Sequence, residues 1–187
     1  MIIGITGNSG SGKTVLSNLL KEEYNAFIIN ADEVVKDLSC KGQTYYDEIV
    51  KEFGKGVLLT DGELNKKKLA SLIFNDNNKR KQLNDITFKY VVEEIKKRLN
   101  LSNSGVNIID APLLIESKLN TICDIVVSVI ADKDTKLNRI CKRDKLNKEE
   151  AAKRLDSQPN DDFYIKNSNL VIINNENYSK WINPKRH

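Results

Sequence analysis

Apolar residues along this chain fall into two kinds of run. Five runs are short, rich in Ile and Val, and nearly continuous: residues 2–6, 26–30, 106–110, 125–130 and 170–173. Strands covered on both faces read this way, because neither side meets water. Between them the apolar positions recur at helical spacing, first as Val15, Leu16, Leu19 and Leu20, then within 43–54, 65–74 and 79–99. Strand and helix in alternation predict an α/β domain built on a five-stranded parallel sheet. The stretch from about 32 to 105 is too long for a single crossover. It predicts a helical insertion beside the sheet, placed to cover a substrate, with turns at Asp61-Gly62 and at Asn75-Asp76-Asn77-Asn78. A basic stretch from about 133 to 160 reads as a second, mobile unit. The Asn-rich tail from Asn174 onward is expected to close with a short helix through Trp181.

Composition adds limits more than detail. A chain of 187 residues with 40% hydrophobic and 30% charged residues suits one globular domain with small insertions. No apolar run approaches the roughly 18 residues that span a bilayer. The first apolar stretch is short and broken by glycines, unlike a signal peptide, so a cytoplasmic protein without membrane association is expected. Cys40, Cys123 and Cys141 are far apart and form no C-x-x-C pair, which argues for reduced, structural thiols rather than zinc or disulfides. The sole histidine is His187, so any general base must be a carboxylate, a lysine or water unless the terminus folds into the site. Net charge is only +4. Lys66-Lys67-Lys68 and Lys79-Arg80-Lys81 read as solvated helix faces ahead of nucleic-acid contacts, and a third reading is attraction of an anionic small molecule.

The most specific chemistry lies directly after the first strand. Gly7-Asn8-Ser9-Gly10-Ser11-Gly12-Lys13-Thr14 is G-x-x-x-x-G-K-[ST], the phosphate-binding P-loop. Its glycines let backbone N–H groups turn inward onto a polyphosphate, and the following helix adds its N-terminal partial charge. Lys13 would reach the β- and γ-phosphates, and the Thr14 hydroxyl would ligate Mg²⁺. Asp32 follows the second strand, at the edge where α/β sheets bind ligands. It could take a proton from a substrate hydroxyl or hold Mg²⁺ through water, or it could only cap the helix that starts there. Asp110 ends the third strand, where an Mg²⁺-associated acid of a P-loop enzyme belongs. Glu116, beyond Pro112, is either an outer acid of the site or a surface charge. Arg139 and Arg143 share one helix face and could close over a transferring phosphoryl group, the alternative being a basic helix in solvent with Asp144 as partner.

Taken together, these residues resemble the dephospho-CoA kinases, a family of P-loop, NMP-kinase-like small-molecule kinases. The likeness is carried by Ile3-Gly4-Ile5-Thr6-Gly7-x-x-Gly10-Ser11-Gly12-Lys13-Thr14, by Ala31-Asp32, and by Pro112-Leu113-Leu114-x-Glu116. It continues through Arg139-x-x-x-Arg143-Asp144, Gln158 and Val171-Ile172-x-Asn174, in family order from residue 3 to 174. The resemblance implies a P-loop kinase fold in three parts. These are a core (1–31, 105–132 and 168–187), a helical acceptor-binding insertion (32–104) and a lid (133–167). It implies transfer of the γ-phosphate of ATP, with Mg²⁺, to the ribose 3′-hydroxyl of dephospho-CoA, the last step of CoA biosynthesis. Asp32 would be the general base, Lys13, Arg139 and Arg143 the charge-stabilising cations, and Asn8 to Thr14 with Asn174 the nucleotide contacts, Asn174 near adenine. Thr14 and Asp110 would serve the metal. Four positions depart from the family. Asn30 stands where an Asp is usual, Phe88 and Lys89 replace a His-Pro pair, and Ile173 stands where an Asp is common. Those departures leave open a kinase of another small hydroxyl acceptor, such as a nucleoside or nucleotide, or a nucleotide-binding module without transfer activity.

Overall fold

The computed structural model describes residues 1–74, 76–175 and the backbone of 178–182. The chain divides into two compact units, one formed by Met1–Asn30 with the chain from Ser102 onward, the other by Ala31–Leu101.

The first unit holds the sheet. Its strands are β1 (Ile2–Thr6), β2 (Phe27–Asn30), β3 (Asn107–Asp110), β4 (Ile125–Ile130), β5 (Leu170–Asn175) and β6 (Tyr178–Ile182), in spatial order β2-β3-β1-β4-β5-β6. The first five run parallel, as the Ile/Val-rich runs predict. Ile3, Ile5, Ile108, Val127, Val129 and Ile172 interlock across them with Leu16 of α1 (Lys13–Tyr24) to form the main core. Three further helices follow β4, namely α6 (Lys133–Asp144), α7 (Lys148–Asp156) and α8 (Asp161–Lys166). Register aligns the carboxyl ends of the strands: Ile5 lies beside Asp110, Thr6 beside Ser128, and Asn30 beside Asp110. That edge is where ligands bind in parallel α/β sheets.

The tail corrects the expectation of a short helix through Trp181. Tyr178–Ile182 is a strand that pairs antiparallel with β5, with Trp181 opposite Ile172. Without it β5 would be an unpaired edge, and the Tyr, Trp and Ile of the segment favour extended backbone.

The second unit is helical: α2 (Ala31–Leu38), α3 (Thr44–Phe53), α4 (Lys66–Phe74) and α5 (Asn77–Leu101). Tyr45, Tyr46, Ile49, Val57, Leu64 and Leu69 form its core. Asp61-Gly62 turns as expected, and the Asp76 side chain accepts from the N–H groups of Asn78 and Lys79 to start α5. Asn75, in the same expected turn, lies outside the described residues. Lys66–Lys68 and Lys79–Lys81 are exposed, as a solvated face requires. Among the described residues no helix is long and apolar enough to cross a membrane.

Candidate active site

The loop between β1 and α1 is wrapped by main-chain and side-chain contacts from three directions. Gly12 caps α1 with φ 101°, a left-handed conformation that costs a residue with Cβ, and a Cβ there would run into the Asn174 amide nitrogen. The first turn of α1 carries no acidic residue, so nothing negative competes with an anion at its amides. Lys13 folds back across the loop, its ammonium 2.9 Å from the carbonyls of both Gly7 and Asn8. The Ser11 hydroxyl is buried within the loop with no hydrogen-bond partner. Orphaned buried polar atoms are rare, and this one lies where a polyphosphate would be cradled.

Beneath the helix, Asp110 is 4% exposed at the end of β3. One of its oxygens accepts from Ser17 Oγ at 3.0 Å, and the same hydroxyl oxygen lies 3.1 Å from the Lys13 carbonyl. Asp110 is thereby tied to α1 three residues beyond Thr14, which is exposed in the first turn. Among the described residues no group of three or more His, Cys, Asp or Glu could hold a metal ion. Thr14 and Asp110 offer one hydroxyl and one carboxylate, the kind of oxygen donors that Mg²⁺ takes together with waters and substrate phosphates.

Both arginines of α6 reach the loop, and Arg143, largely exposed, also keeps Asp144 as its partner. Arg139 Nη1 donates to the carbonyls of Gly10 (3.2 Å), Ser11 (3.3 Å) and Asn174 (3.0 Å). Asn174 in turn donates from Nδ2 to the Ser11 carbonyl at 2.9 Å. Arg143 reaches Ser9 Oγ at 3.1 Å while also pairing with Asp144. From the other side, Gln158 Oε1 accepts from the Ser9 N–H at 2.9 Å, and the Pro159 carbonyl accepts from Asn8 Nδ2 at 2.8 Å.

Asp32 is the second residue of α2, inside its first turn rather than at the cap position before it, and it is exposed. It belongs to the second unit, whereas Asn8 to Thr14, Asp110, Arg139, Arg143 and Asn174 all lie on the first. Glu116 sits in the turn after Pro112, half-buried, with Oε2 covered and unpartnered. Burial pushes its carboxyl above the usual range. Burial and the negative charges of Glu116 and Asp161 likewise push the Tyr164 hydroxyl up.

Sequence reasoning passed over Ser17 and Lys136. Each had a signal: Ser17 is one turn past Thr14, and Lys136 precedes Arg139 and Arg143 on the same stripe of α6.

In the second unit the departures Phe88 and Lys89 fall on α5. Lys89 pairs with Glu48 at 3.1 Å and lies 4.7 Å over the Tyr90 ring, and the Tyr90 hydroxyl also donates to Glu48. The preceding Thr87 hydroxyl is 3.1 Å from that of Tyr45.

A glycine-rich loop between a central parallel strand and a helix, with a lysine and two arginines converging on it, defines a P-loop phosphotransferase. The sequence profile of the dephospho-CoA kinase family matches residues 1–180, and the chain belongs to that family. It is therefore a kinase, with ATP as phosphate donor. A dephospho-CoA kinase of Fusobacterium nucleatum is 38% identical over 177 residues, covering 95% of this chain and 91% of its own. One of Listeria innocua is 38% identical over 181 residues, covering 95% and 90%. Among solved structures, the dephospho-CoA kinase from Campylobacter jejuni aligns with TM-score 0.64 at 25% identity, over 95% of this chain and 89% of that one. A shikimate kinase from Acinetobacter baumannii, at 16% identity and TM-score 0.56 over 94% and 84%, shares the fold.

Proposed function

We propose that this chain transfers the γ-phosphate of ATP to the ribose 3′-hydroxyl of dephospho-CoA, giving CoA and ADP. The observation that carries the reading is the convergence of Lys13, Arg139 and Arg143 on one phosphate-binding loop, in a chain of this family. The 3′-oxygen forms a bond to the γ-phosphorus, the bond from that phosphorus to the β-bridging oxygen breaks, and ADP leaves. The hydroxyl proton passes to the Asp32 carboxylate. Phosphoryl transfer needs little covalent help from a protein, so positioning and charge do most of the catalysis. The amides from Asn8 to Thr14 cradle the phosphates, Lys13 holds the β/γ end, and Arg139 and Arg143 face the charge that spreads over the γ-oxygens. Asn174, held between Ser11 and Arg139, lies at the adenine end of the nucleotide. Thr14 and Asp110 would hold Mg²⁺, which neutralises phosphate charge. The segment 133–167 would act as the lid and 32–104 as the acceptor-binding part.

The protein with ATP, Mg²⁺ and dephospho-CoA should form CoA and ADP in equal amounts. Asp32→Asn should lower kcat by roughly 10²–10⁴-fold, the range for loss of a general base, with ATP affinity nearly unchanged. Wild-type turnover in that variant refutes the base role. Phosphorylation of nucleosides or other hydroxyl compounds in preference to dephospho-CoA refutes the acceptor.

A further inference from the structure

The seam between the loop and α8 contains an ion pair, its lysine buried, that the transfer chemistry above does not use. The Lys136 side chain is only 7% exposed. Its ammonium lies 2.8 and 3.1 Å from the two Asp161 carboxylate oxygens and 3.4 Å from Asn8 Oδ1. Asn8 is itself 2% exposed and is held from its other end by the Pro159 carbonyl, while Gln158 holds the Ser9 N–H. The α6 backbone also abuts the loop, since a Cβ on Gly10 would stand 2.5 Å from the Lys136 carbonyl oxygen. Lysine is almost never this buried unless paired, because taking its ammonium out of water is costly until the pairing offsets it. A residue kept at that cost beside a catalytic loop calls for a role.

Asn8 and Ser9 belong to no helix or strand, so their conformation is set from outside. Lys13 grips the Gly7 and Asn8 carbonyls. Because the P-loop lysine serves the β- and γ-phosphates, this strand-side half of the loop is the end that meets the terminal phosphate. We propose that Lys136 and Asp161 form a positioning pair that fixes Asn8, and through it the strand-side half of the loop, for the γ-phosphate of ATP. The pair acts through the loop, not on the ligand. The inference rests on the P-loop reading but not on the identity of the acceptor.

The test is nucleotide binding without acceptor, by titrating a non-hydrolysable ATP analogue and ADP into wild type, Lys136→Met, Asp161→Asn, the double variant and Lys136→Arg. The Kd for the ATP analogue should rise about tenfold in Lys136→Met, against less than about threefold for ADP, which lacks the third phosphate. Lys136→Arg should recover most of the loss. The double variant should be no weaker than the weaker single one, because either change already breaks the pair. Equal weakening of ATP analogue and ADP, additive single effects, or wild-type binding in both single variants would each overturn the proposal. Asp161, with a side chain 36% exposed, tolerates an isosteric change, so Asp161→Asn still decides the matter if Lys136→Met does not fold. Dephospho-CoA turnover measured alongside separates the two readings. A wild type that discriminates the nucleotides but leaves dephospho-CoA unphosphorylated loses the proposed acceptor and keeps the pair.

Discussion

Replacing Gly10 by alanine isolates the contact between the loop and α6. Gly10 has φ 78°, where an L side chain costs about 1–2 kcal/mol from backbone sterics alone. Its Cβ would stand 2.5 Å from the Lys136 carbonyl oxygen and 3.1 Å from the Lys136 Cα, against 3.4 Å or more in ordinary contact. The nearest atoms are backbone of a helix, so relief requires about 0.9 Å of movement between two main chains, a clash of the overpacking kind worth about 1–3 kcal/mol. Gly10→Ala should therefore destabilise by about 2–5 kcal/mol. Gly42 supplies the control: its φ is 89°, and nothing lies within 4 Å of a Cβ built there. Gly42→Ala should cost only the backbone part, about 1–2 kcal/mol. Urea unfolding of both variants gives the difference. A Gly10→Ala variant no less stable than Gly42→Ala would refute the close approach of α6 to the loop. Where it folds, it should also bind ATP more weakly, because the same displacement moves the amides of Gly10 and Ser11.

Two further predictions concern buried acids. Burial raises the Glu116 carboxyl, so the folded chain holds that proton where the unfolded chain has lost it. The contribution to stability is complete below the unfolded value and declines as pH rises through the raised folded one. Glu116→Gln should remove that decline, so its melting temperature relative to wild type should increase from pH 4 to pH 7; a constant difference would refute the reasoning. Burial and the neighbouring Asp124 push the Cys123 thiol from 9.0 up to about 12. By the same sign, stability should fall from pH 9 toward pH 12 in wild type and fall less in Cys123→Ala, whose loss of packing against Gly4 is the same at every pH. Parallel stability–pH curves for the two proteins would count against it.

The five parallel strands were legible because an unbroken Ile/Val run has few other uses, and β1, β3 and β4 are buried along nearly their whole length. The loop was legible because its residue types are demanded by phosphate chemistry at fixed spacing. Trp181 was misread for the opposite reason. A short polar segment with one Tyr, one Trp and one Ile has no periodicity of its own, and it becomes a strand because β5 presents an open edge. Lys136 was lost among the many lysines between 133 and 154. Charge alone does not distinguish a solvated lysine from a buried one, and its partner Asp161 is 25 residues away. Gln158 was visible only through the family resemblance, since a glutamine that accepts from a loop N–H leaves no pattern in sequence.

On the proposed roles of Asp110 toward the metal and Asp32 toward the hydroxyl, the departure at Asn30 bears on the metal side more than on the hydroxyl side. Asn30 lies in register with Asp110 across the β2–β3 pair, and Asp110 is buried against Ser17. An Asp at position 30 would set a second carboxylate beside a buried one, and like charges so placed need a cation between them. An amide removes that repulsion and removes one anionic oxygen from the neighbourhood of Asp110. The carboxylate proposed to face the hydroxyl, Asp32, is untouched, because it lies two residues on, in the first turn of α2. The substitution therefore leaves the proposed base in place. On the proposed metal role of Asp110, the effect falls on how strongly that carboxylate attracts a divalent ion, with substrate phosphate oxygens supplying the remaining charge.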